Sequence, residues 1–218
     1  MFKSLFIKEL LLLGSAKNRI LSFLILLLSL LFIFHFSLER NSNLNFEALI
    51  GIKWASIFIL SYILIGQMTE DETESEAYKI TRLSIPIGLE FIVKSSLVFM
   101  GLIFIFSFQS IAIGILFESG SKVFSNFFST LFISVPGLLS LSFLGVLLSD
   151  LSFQTEKKEL LLPVLLIPLS IPVLLMSISA ETKFLISEEY NLSSVVLLFS
   201  FSILYLSLGL IFKEYILD

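Results

Sequence analysis

The most conspicuous ionisable side chains in this sequence are the carboxylates of a short segment between two long apolar runs. The segment, residues 69–86, reads TEDETESEAYKITRLSIP. Its acidic residues are Glu70, Asp71, Glu72, Glu74 and Glu76. Carboxylates stabilise the N-terminal turns of a helix, and Lys79 and Arg82 stand where basic residues stabilise the C-terminal turns. The pattern predicts a charged helix over residues 69–84, ended by a proline and a glycine.

A second unusual feature is a set of three prolines inside one apolar run, LLLPVLLIPLSIPVLLMSISA. These are Pro163, Pro168 and Pro172. A proline removes a backbone donor and kinks a helix, so it frees carbonyl groups that need other partners. Pro168 and Pro172 are four residues apart and therefore share roughly one face. Two interpretations remain open: a bent helix shaped for packing, or a mobile element that lines a path or moves during a transport cycle.

A few polar or amphipathic side chains lie within or beside apolar runs. His35, the single histidine, is interpreted as an interfacial residue; the alternative, a transient haem ligand, has no support from nearby residues. Trp54 is most simply an anchor at the membrane interface. Lys53 beside it is expected to extend its ammonium group to the surface.

Several common catalytic and metal-binding patterns are missing from the sequence. There is no G-x-x-x-x-G-K-[ST], no H-E-x-x-H and no G-x-S-x-G, so the chain has no ATP-binding P-loop of its own. With no cysteine and one histidine, it has neither zinc-thiolate nor multi-histidine metal sites. Acidic residues outside the charged segment fall in loops or at the ends of apolar runs, as Asp150 and Glu159 do. Enzymatic activity of this chain is therefore not expected.

The elements that position these residues follow from the composition. Of the 218 residues, 56% are hydrophobic and 15% are charged, and the mean hydropathy is +1.01. Soluble domains carry about 25% charged residues, so the chain is predicted to be an all-α polytopic membrane protein. A bilayer-spanning helix needs about 20 apolar residues. Six stretches qualify, at approximately 20–38, 49–68, 91–117, 125–148, 160–180 and 193–212.

The placement of lysine and arginine predicts the orientation of the chain. If the N-terminus is cytoplasmic, the cytoplasmic segments and their flanks hold ten of these residues and the opposite side holds four. The ten are Lys3, Lys8, Lys17, Arg19, Lys79, Arg82, Lys94, Lys157, Lys158 and Lys213. The four are Arg40, Lys53, Lys122 and Lys183. Both termini and the acidic segment are therefore predicted to face the cytoplasm.

This orientation suggests a partner for the acidic segment. The cytoplasmic leaflet is negatively charged and attracts basic segments, so a run of carboxylates is poorly suited to rest on it. A protein with a basic groove explains the carboxylates better. We predict that the segment docks into a separate nucleotide-hydrolysing subunit, and the alternative is a solvated amphipathic helix on the membrane surface.

The first 19 residues form a separate predicted element, an amphipathic helix in the cytoplasmic interface. Glu9 interrupts its apolar face. It is expected to reach headgroups or water, or else to meet a cation on another helix, because an unpaired carboxylate in lipid is costly.

The order of these elements resembles the membrane subunits of type-2 ABC exporters, and most closely the haem exporter protein B (CcmB) family of cytochrome c maturation. FIKEL resembles that family's acid-Leu pair in the first helix, and GIKWASIF resembles its Gly-x-x-Trp opening of the second span. Glu70 and Asp71, followed by LSIPIGLEFIVK ending at Lys94, resemble its acidic coupling loop and the lysine entering the third span. LLLPVLLIPLSIPVLL resembles its proline-rich fifth span. The chain departs from the family at Ser75, where glycine is frequent, and at Tyr78, where glutamate is frequent.

The resemblance implies a single ABC-2 (type-2 exporter) permease domain over residues 1–218, with both termini inside, in the bacterial inner membrane. It implies an ABC ATPase subunit as partner, together with the haem-handling membrane protein and the haem chaperone of cytochrome c maturation. ATP would be bound by the partner, haem would be cargo at most, and no cofactor or metal would be bound by this chain.

The resemblance also assigns roles to particular residues. Those expected to contact the ATPase are Glu70, Asp71, Glu72, Glu74, Glu76, Tyr78 and Arg82. Those expected to serve transport or conformational change are Glu9, Trp54, Lys94, Pro163, Pro168 and Pro172.

Three alternatives stay open at this point. The chain could be an ABC-2 permease for a lipid, a polysaccharide or a drug. It could be a membrane assembly scaffold with no transport cycle, for which the acidic helix is only a docking patch. An intramembrane enzyme is the third alternative, although no convincing pair of catalytic groups supports it.

Overall fold

The computed structural model describes residues 17–39, 46–74, 87–117, 120–152 and 158–215. Within these ranges all regular secondary structure is helical, as the sequence predicts. The helices are α1 (Lys17–Glu39), α2 (Phe46–Glu74), α3 (Ile87–Leu116), α4 (Ser121–Ser125), α5 (Phe127–Ser152), α6 (Lys158–Ser187) and α7 (Leu192–Tyr215).

Five of these helices contain apolar stretches long enough to cross a bilayer. The stretches are Phe46–Gly66, Gly88–Leu116, Phe127–Ser152, Pro163–Ser187 and Leu192–Lys213. They confirm five of the six predicted spans. The first predicted span, residues 20–38, lies within α1 and remains a prediction, because the apolar stretch described there is Ile25–Ser37.

Phenylalanine, isoleucine and serine are only moderate helix formers in water. Inside lipid the backbone has no water to bond, so each N–H and C=O must be paired within its own helix. Many of the described serine hydroxyls fit this rule by bonding to carbonyls one turn earlier. Ser29 Oγ donates to Ile25 O at 2.8 Å, and Ser200 Oγ donates to Val196 O at 3.0 Å. Such serines lie in apolar helices without an unpaired hydroxyl.

Helix α5 lies at the centre of the bundle. In its apolar stretch 72% of residues are buried, against 28% in α6 and 22% in α7. Two serines join α5 to α7: Ser140 Oγ donates to Leu198 O at 3.0 Å, and Ser202 Oγ donates to Pro136 O at 3.3 Å. These two serines contribute to helix packing, because each hydroxyl bonds the backbone of the neighbouring helix.

The outer helices present wide apolar surfaces. Large side chains such as Ile115, Phe128 and Phe132 are at least three-quarters exposed. An exposed apolar area of this extent is incompatible with water and is suited to lipid chains. Burial thus agrees with the span lengths in describing a multi-pass membrane protein.

Helix α6 is longer than the sequence predicts. The predicted span ends at residue 180, but the helix continues to Ser187, where Glu188 adopts a left-handed φ of 57°. Glu181 therefore lies inside a helix and inside an apolar stretch. The expectation that the acidic residues occupy only loops and span ends is wrong for Glu181. The helix tolerates this carboxylate because basic and polar side chains of α2 surround it.

Close contact between α3 and α7 depends on Gly209. A Cβ atom there would clash with the ring of Phe91 and lie 2.6 Å from two of its carbons. Phe91 is fully buried and stacks on Phe143 with the ring centroids 6.2 Å apart, so the ring has no room to retreat. We expect Gly209→Ala to lower the free energy of unfolding by about 1–3 kcal/mol, measured by denaturation of the purified protein in detergent.

Gly51→Ala is the matched control for this substitution. A Cβ atom at Gly51 meets nothing within 4 Å, and alanine is the better helix former by about 1 kcal/mol. This variant is expected to be as stable as the parent or more so. Equal destabilisation by both substitutions would show that the contact with Phe91 is not the cause.

Candidate functional site

Charged side chains meet inside the bundle at two places. The first, the Lys53 cluster, comprises Lys53, Trp54, Phe106 and Glu181. The second, the Glu90 cluster, comprises Glu90, Lys94, Asp150 and Lys213. The two clusters lie at opposite ends of the bundle, because one involves the start of α2 and the end of α6, and the other the start of α3 and the ends of α5 and α7.

The Lys53 cluster joins α2 to α6 through one carboxylate. Lys53 Nζ donates to Glu181 Oε1 at 2.6 Å, and Trp54 Nε1 donates to Glu181 Oε2 at 2.7 Å. Each carboxylate oxygen therefore has its own donor. Lys53 Nζ also lies 3.6 Å from the centre of the Phe106 ring on α3, a cation–π contact. The charge of Lys53 is thus compensated by an anion and by an aromatic face.

Burial makes this arrangement energetically demanding. Lys53, Trp54 and Glu181 are each at most 1% exposed. A buried ion pair is stable only with good geometry and further hydrogen bonds, and removing one partner leaves an uncompensated charge. The pair and the indole donor satisfy each other, so the cluster is complete as it stands.

Two sequence expectations are corrected here. Lys53 does not extend to the surface, and Trp54 is not an interface anchor: both side chains point into the bundle. The physical reason is the carboxylate of Glu181, which offers an acceptor to each donor inside the protein. Trp54 also packs closely on α5, since a Cβ atom on Gly137 would lie 3.3 Å from its Cη2.

The Glu90 cluster ties three helix ends together. Lys94 Nζ lies 2.8 Å from Glu90 Oε1 and 3.7 Å from Asp150 Oδ1. Lys213 Nζ lies 3.2 Å from Glu90 Oε2 and 3.2 Å from Asp150 Oδ2. Two ammonium groups thus alternate with two carboxylates, and the formal charges cancel. Lys94, which the sequence assigned to conformational change, is one of its members.

Substitution of Lys213 tests this cluster. Lys213→Met leaves two carboxylates with one cation, in a site where the four side chains are at most 15% exposed. We expect the variant to lose about 1–3 kcal/mol of unfolding free energy, because partly buried charges lose a partner. Thermal or denaturant unfolding in detergent measures the loss. Lys122→Met, at an exposed lysine of α4, is the control and should stay within about 0.5 kcal/mol of the parent.

The three prolines lie within the single helix α6. Pro168 is exposed, and Pro163 and Pro172 are half-buried. A hydroxyl from α7 reaches this segment, since Tyr205 Oη donates to Leu169 O at 2.8 Å. The proline segment therefore contacts α7 through this hydrogen bond. Glu181, in the last turns of α6, contacts α2 instead.

The acidic segment begins as a continuation of α2. The helix runs without a break from Phe46 to Glu74, so the backbone of Glu70, Asp71 and Glu72 is helical. Glu76, Tyr78 and Arg82 lie outside the described residues, as does Glu9. The predicted docking of the acidic segment on an ATPase and the predicted role of Glu9 remain predictions. Residues 17–19 of the predicted interfacial helix belong to α1, and the rest of that helix lies outside the described residues.

Metal and cofactor ligation finds no candidate in the described part of the chain. No group of three His, Cys, Asp or Glu residues there is placed to hold a metal ion. His35 on α1 is half-buried, and its ring meets Phe117 edge-on with centroids 5.1 Å apart.

Sequence reasoning missed Glu181 as a functional candidate and misplaced Lys53. A signal existed, because an ionisable residue in an apolar run is a functional-site hypothesis with a partner to be found. Lys53 lies towards the start of α2 and Glu181 towards the end of α6, and a path that alternates across the membrane would place both on the same side. Glu90, Asp150 and Lys213 share the other side for the same reason. Pairing residues of opposite charge that lie on the same side of the membrane would have predicted both clusters.

Comparison with known proteins identifies the family. No curated protein and no solved structure matches the chain. The model of the CcmB protein family matches residues 1–211, nearly the whole length. The membrane-length helices agree with this match. The chain therefore belongs to the CcmB family, the permease-subunit family of cytochrome c maturation.

Proposed function

We propose that this chain is the permease subunit of an ABC transporter complex and that it couples ATP hydrolysis by a separate subunit to cytochrome c maturation. The step driven by ATP hydrolysis is the export of haem or the release of the haem-loaded periplasmic chaperone. The observation that carries the proposal is the CcmB family match over residues 1–211. The continuity of α2 from a membrane-length stretch into the acidic segment supports the coupling role.

The proposed topology has six spans, with both termini in the cytoplasm of a bacterium and the chain in its inner membrane. Helix α1 is the first span. The lysine and arginine distribution supports this orientation. The two charged clusters support an alternating path, because each gathers helix ends that such a path places on one side. The Glu90 cluster would then be cytoplasmic and the Lys53 cluster would be near the periplasmic face.

The proposed mechanism is mechanical. The carboxylates of Glu70, Asp71, Glu72, Glu74 and Glu76 would dock on a basic groove of the ATPase, since complementary charge sets the register of such interfaces. Movement of the ATPase then shifts the cytoplasmic end of α2 and, through it, the bundle. With one histidine and no cysteine in the chain, ligation of haem falls to the partner membrane protein and the chaperone.

The test of the cargo is a haem stain for covalent c-type cytochromes in cells lacking this gene, with and without the gene restored. Loss of the stained bands and their return with the gene is the expected result. Unchanged covalent haem, with no second copy of the gene, would overturn the cargo assignment. The chain would then be an ABC-2 permease for another cargo or an assembly scaffold.

A further inference from the structure

The Lys53 cluster suggests which helices move together when the complex works. Lys53 and Trp54 lie on α2, the helix that continues into the acidic segment, and Glu181 lies in the last turns of α6. Two charge-assisted hydrogen bonds, 2.6 Å and 2.7 Å long, join them with all three side chains buried. Separating the helices here would leave a lysine and a glutamate without partners in an apolar interior.

The neighbouring contact of α6 with α5 is of a different kind. Gly137 of α5 faces Ser177 of α6, and a Cβ atom on the glycine would lie 3.4 Å from the serine Cβ. The Ser177 hydroxyl has no hydrogen-bond partner among the described residues. Helix α5 is instead bonded to α7 through Ser140 and Ser202, and to α3 and α7 through the Glu90 cluster.

We propose that Lys53, Trp54 and Glu181 are positioning residues that hold α2 and the last turns of α6 together as one rigid unit throughout the transport cycle. This inference rests on the proposed function, because the movement it transmits begins at the acidic segment of α2. The unit moves relative to α5 along the contact between Gly137 and Ser177. The prolines of α6 precede Glu181 in the chain. They form the hinge between the first part of α6 and its last turns, since each removes one backbone hydrogen bond of the helix.

The test uses two cross-links in the complete complex with its ATPase and haem-handling partners. The chain contains no cysteine, so only introduced thiols react. The first variant, Lys53→Cys with Glu181→Cys, replaces the ion pair and is bridged by ethanediyl bismethanethiosulfonate. The second, Gly137→Cys with Ser177→Cys, joins α5 to α6 by a direct disulfide, since the Cβ separation of 3.4 Å lies at the short edge of the range of about 3.5–4.5 Å seen in disulfides.

The readout is ATP-dependent release of the haem-loaded chaperone, measured in the same sample before bridging, after bridging and after reduction. For the first variant we expect the rate of chaperone release before bridging to be about tenfold below that of the parent. The rate should recover after bridging and fall again when the bridge is reduced. For the second variant we expect release to stop when the disulfide forms and to return on reduction. Reversal by reduction shows that the complex was folded throughout.

Three results would overturn the inference. Bridging residues 53 and 181 could stop release, which would mean that the pair opens during the cycle. Release could be as fast without the bridge as with it, which would mean that the link is not needed. Release could also continue with the disulfide between residues 137 and 177, which would mean that α6 does not move against α5. Failure of the parent complex itself to release chaperone with ATP would instead count against the proposed function.

Discussion

Glu181→Leu is expected to lower the free energy of unfolding by about 3–5 kcal/mol, the loss typical when one partner of a buried ion pair is removed. The substitution leaves the Lys53 ammonium without its anion and Trp54 Nε1 without its acceptor, both fully buried. Purified protein in detergent or nanodiscs, unfolded by heat or denaturant, provides the measurement. A loss of this size is a large fraction of the stability of a typical domain, so reduced expression is expected as well.

The double variant Lys53→Met with Glu181→Leu separates charge from packing. Apolar residues of similar volume often replace a buried ion pair without loss of stability. We therefore expect the double variant to be more stable than Glu181→Leu alone, so that the two effects are strongly non-additive. Glu189→Leu, at an exposed acidic residue after α6, is the control and should change stability by less than about 0.5 kcal/mol. Destabilisation of the double variant as large as that of the single one would argue that packing or the unpaired Trp54 indole, and not the unpaired Lys53 charge, causes the loss.

Reversal of the acidic segment is expected to have the largest effect on function. Replacing Glu70, Asp71, Glu72, Glu74 and Glu76 by lysine places like charges against the proposed basic groove, and such juxtaposition costs several kcal/mol. We expect the ATPase subunit co-purified with the membrane protein, and the ATP-coupled release of chaperone, to fall by at least about a hundredfold, since each 1.4 kcal/mol is a factor of ten. Expression should persist, because lysine is as good a helix former as glutamate.

The control reverses Glu188 and Glu189, exposed acidic residues at the other end of the bundle, and should leave ATPase binding intact. Raised salt should weaken the association of the parent complex, since solvent-exposed charges are screened. Normal chaperone release by a well-expressed complex with all five carboxylates reversed would refute the proposed docking.

Much of the fold was predictable because it depends on local properties of the chain. A span requires about 20 apolar residues in a row, and lipid forces such a run into a helix. Five predicted spans are therefore confirmed with boundaries shifted by a few residues. The end of α6 was misjudged for a tertiary reason: Glu181 closes the apolar run, but Lys53 and Trp54 compensate its carboxylate inside the helix bundle.

The candidate site was less predictable, because proximity along the chain does not reveal contact between helices. Lys94 was chosen as a candidate from the family resemblance, and the structure places it beside Asp150, which the sequence did not connect with it. Trp54 was chosen as well, but its indole bonds Glu181 in the interior and does not lie at the interface. Periodicity identifies which residues share a helix face, and it cannot identify which helix that face meets.

The sequence alone determined that this is a helical membrane protein, that an acidic segment follows one of its long apolar runs, and that its motifs resemble the CcmB family. Those properties follow from runs of residues and their order. Only the tertiary structure decided that Lys53 and Glu181, 128 residues apart, form one ion pair, and that Glu90, Lys94, Asp150 and Lys213 form one neutral cluster. The physical reason is that a charge in an apolar interior is stable only beside its counter-charge, and helix packing selects which one it meets.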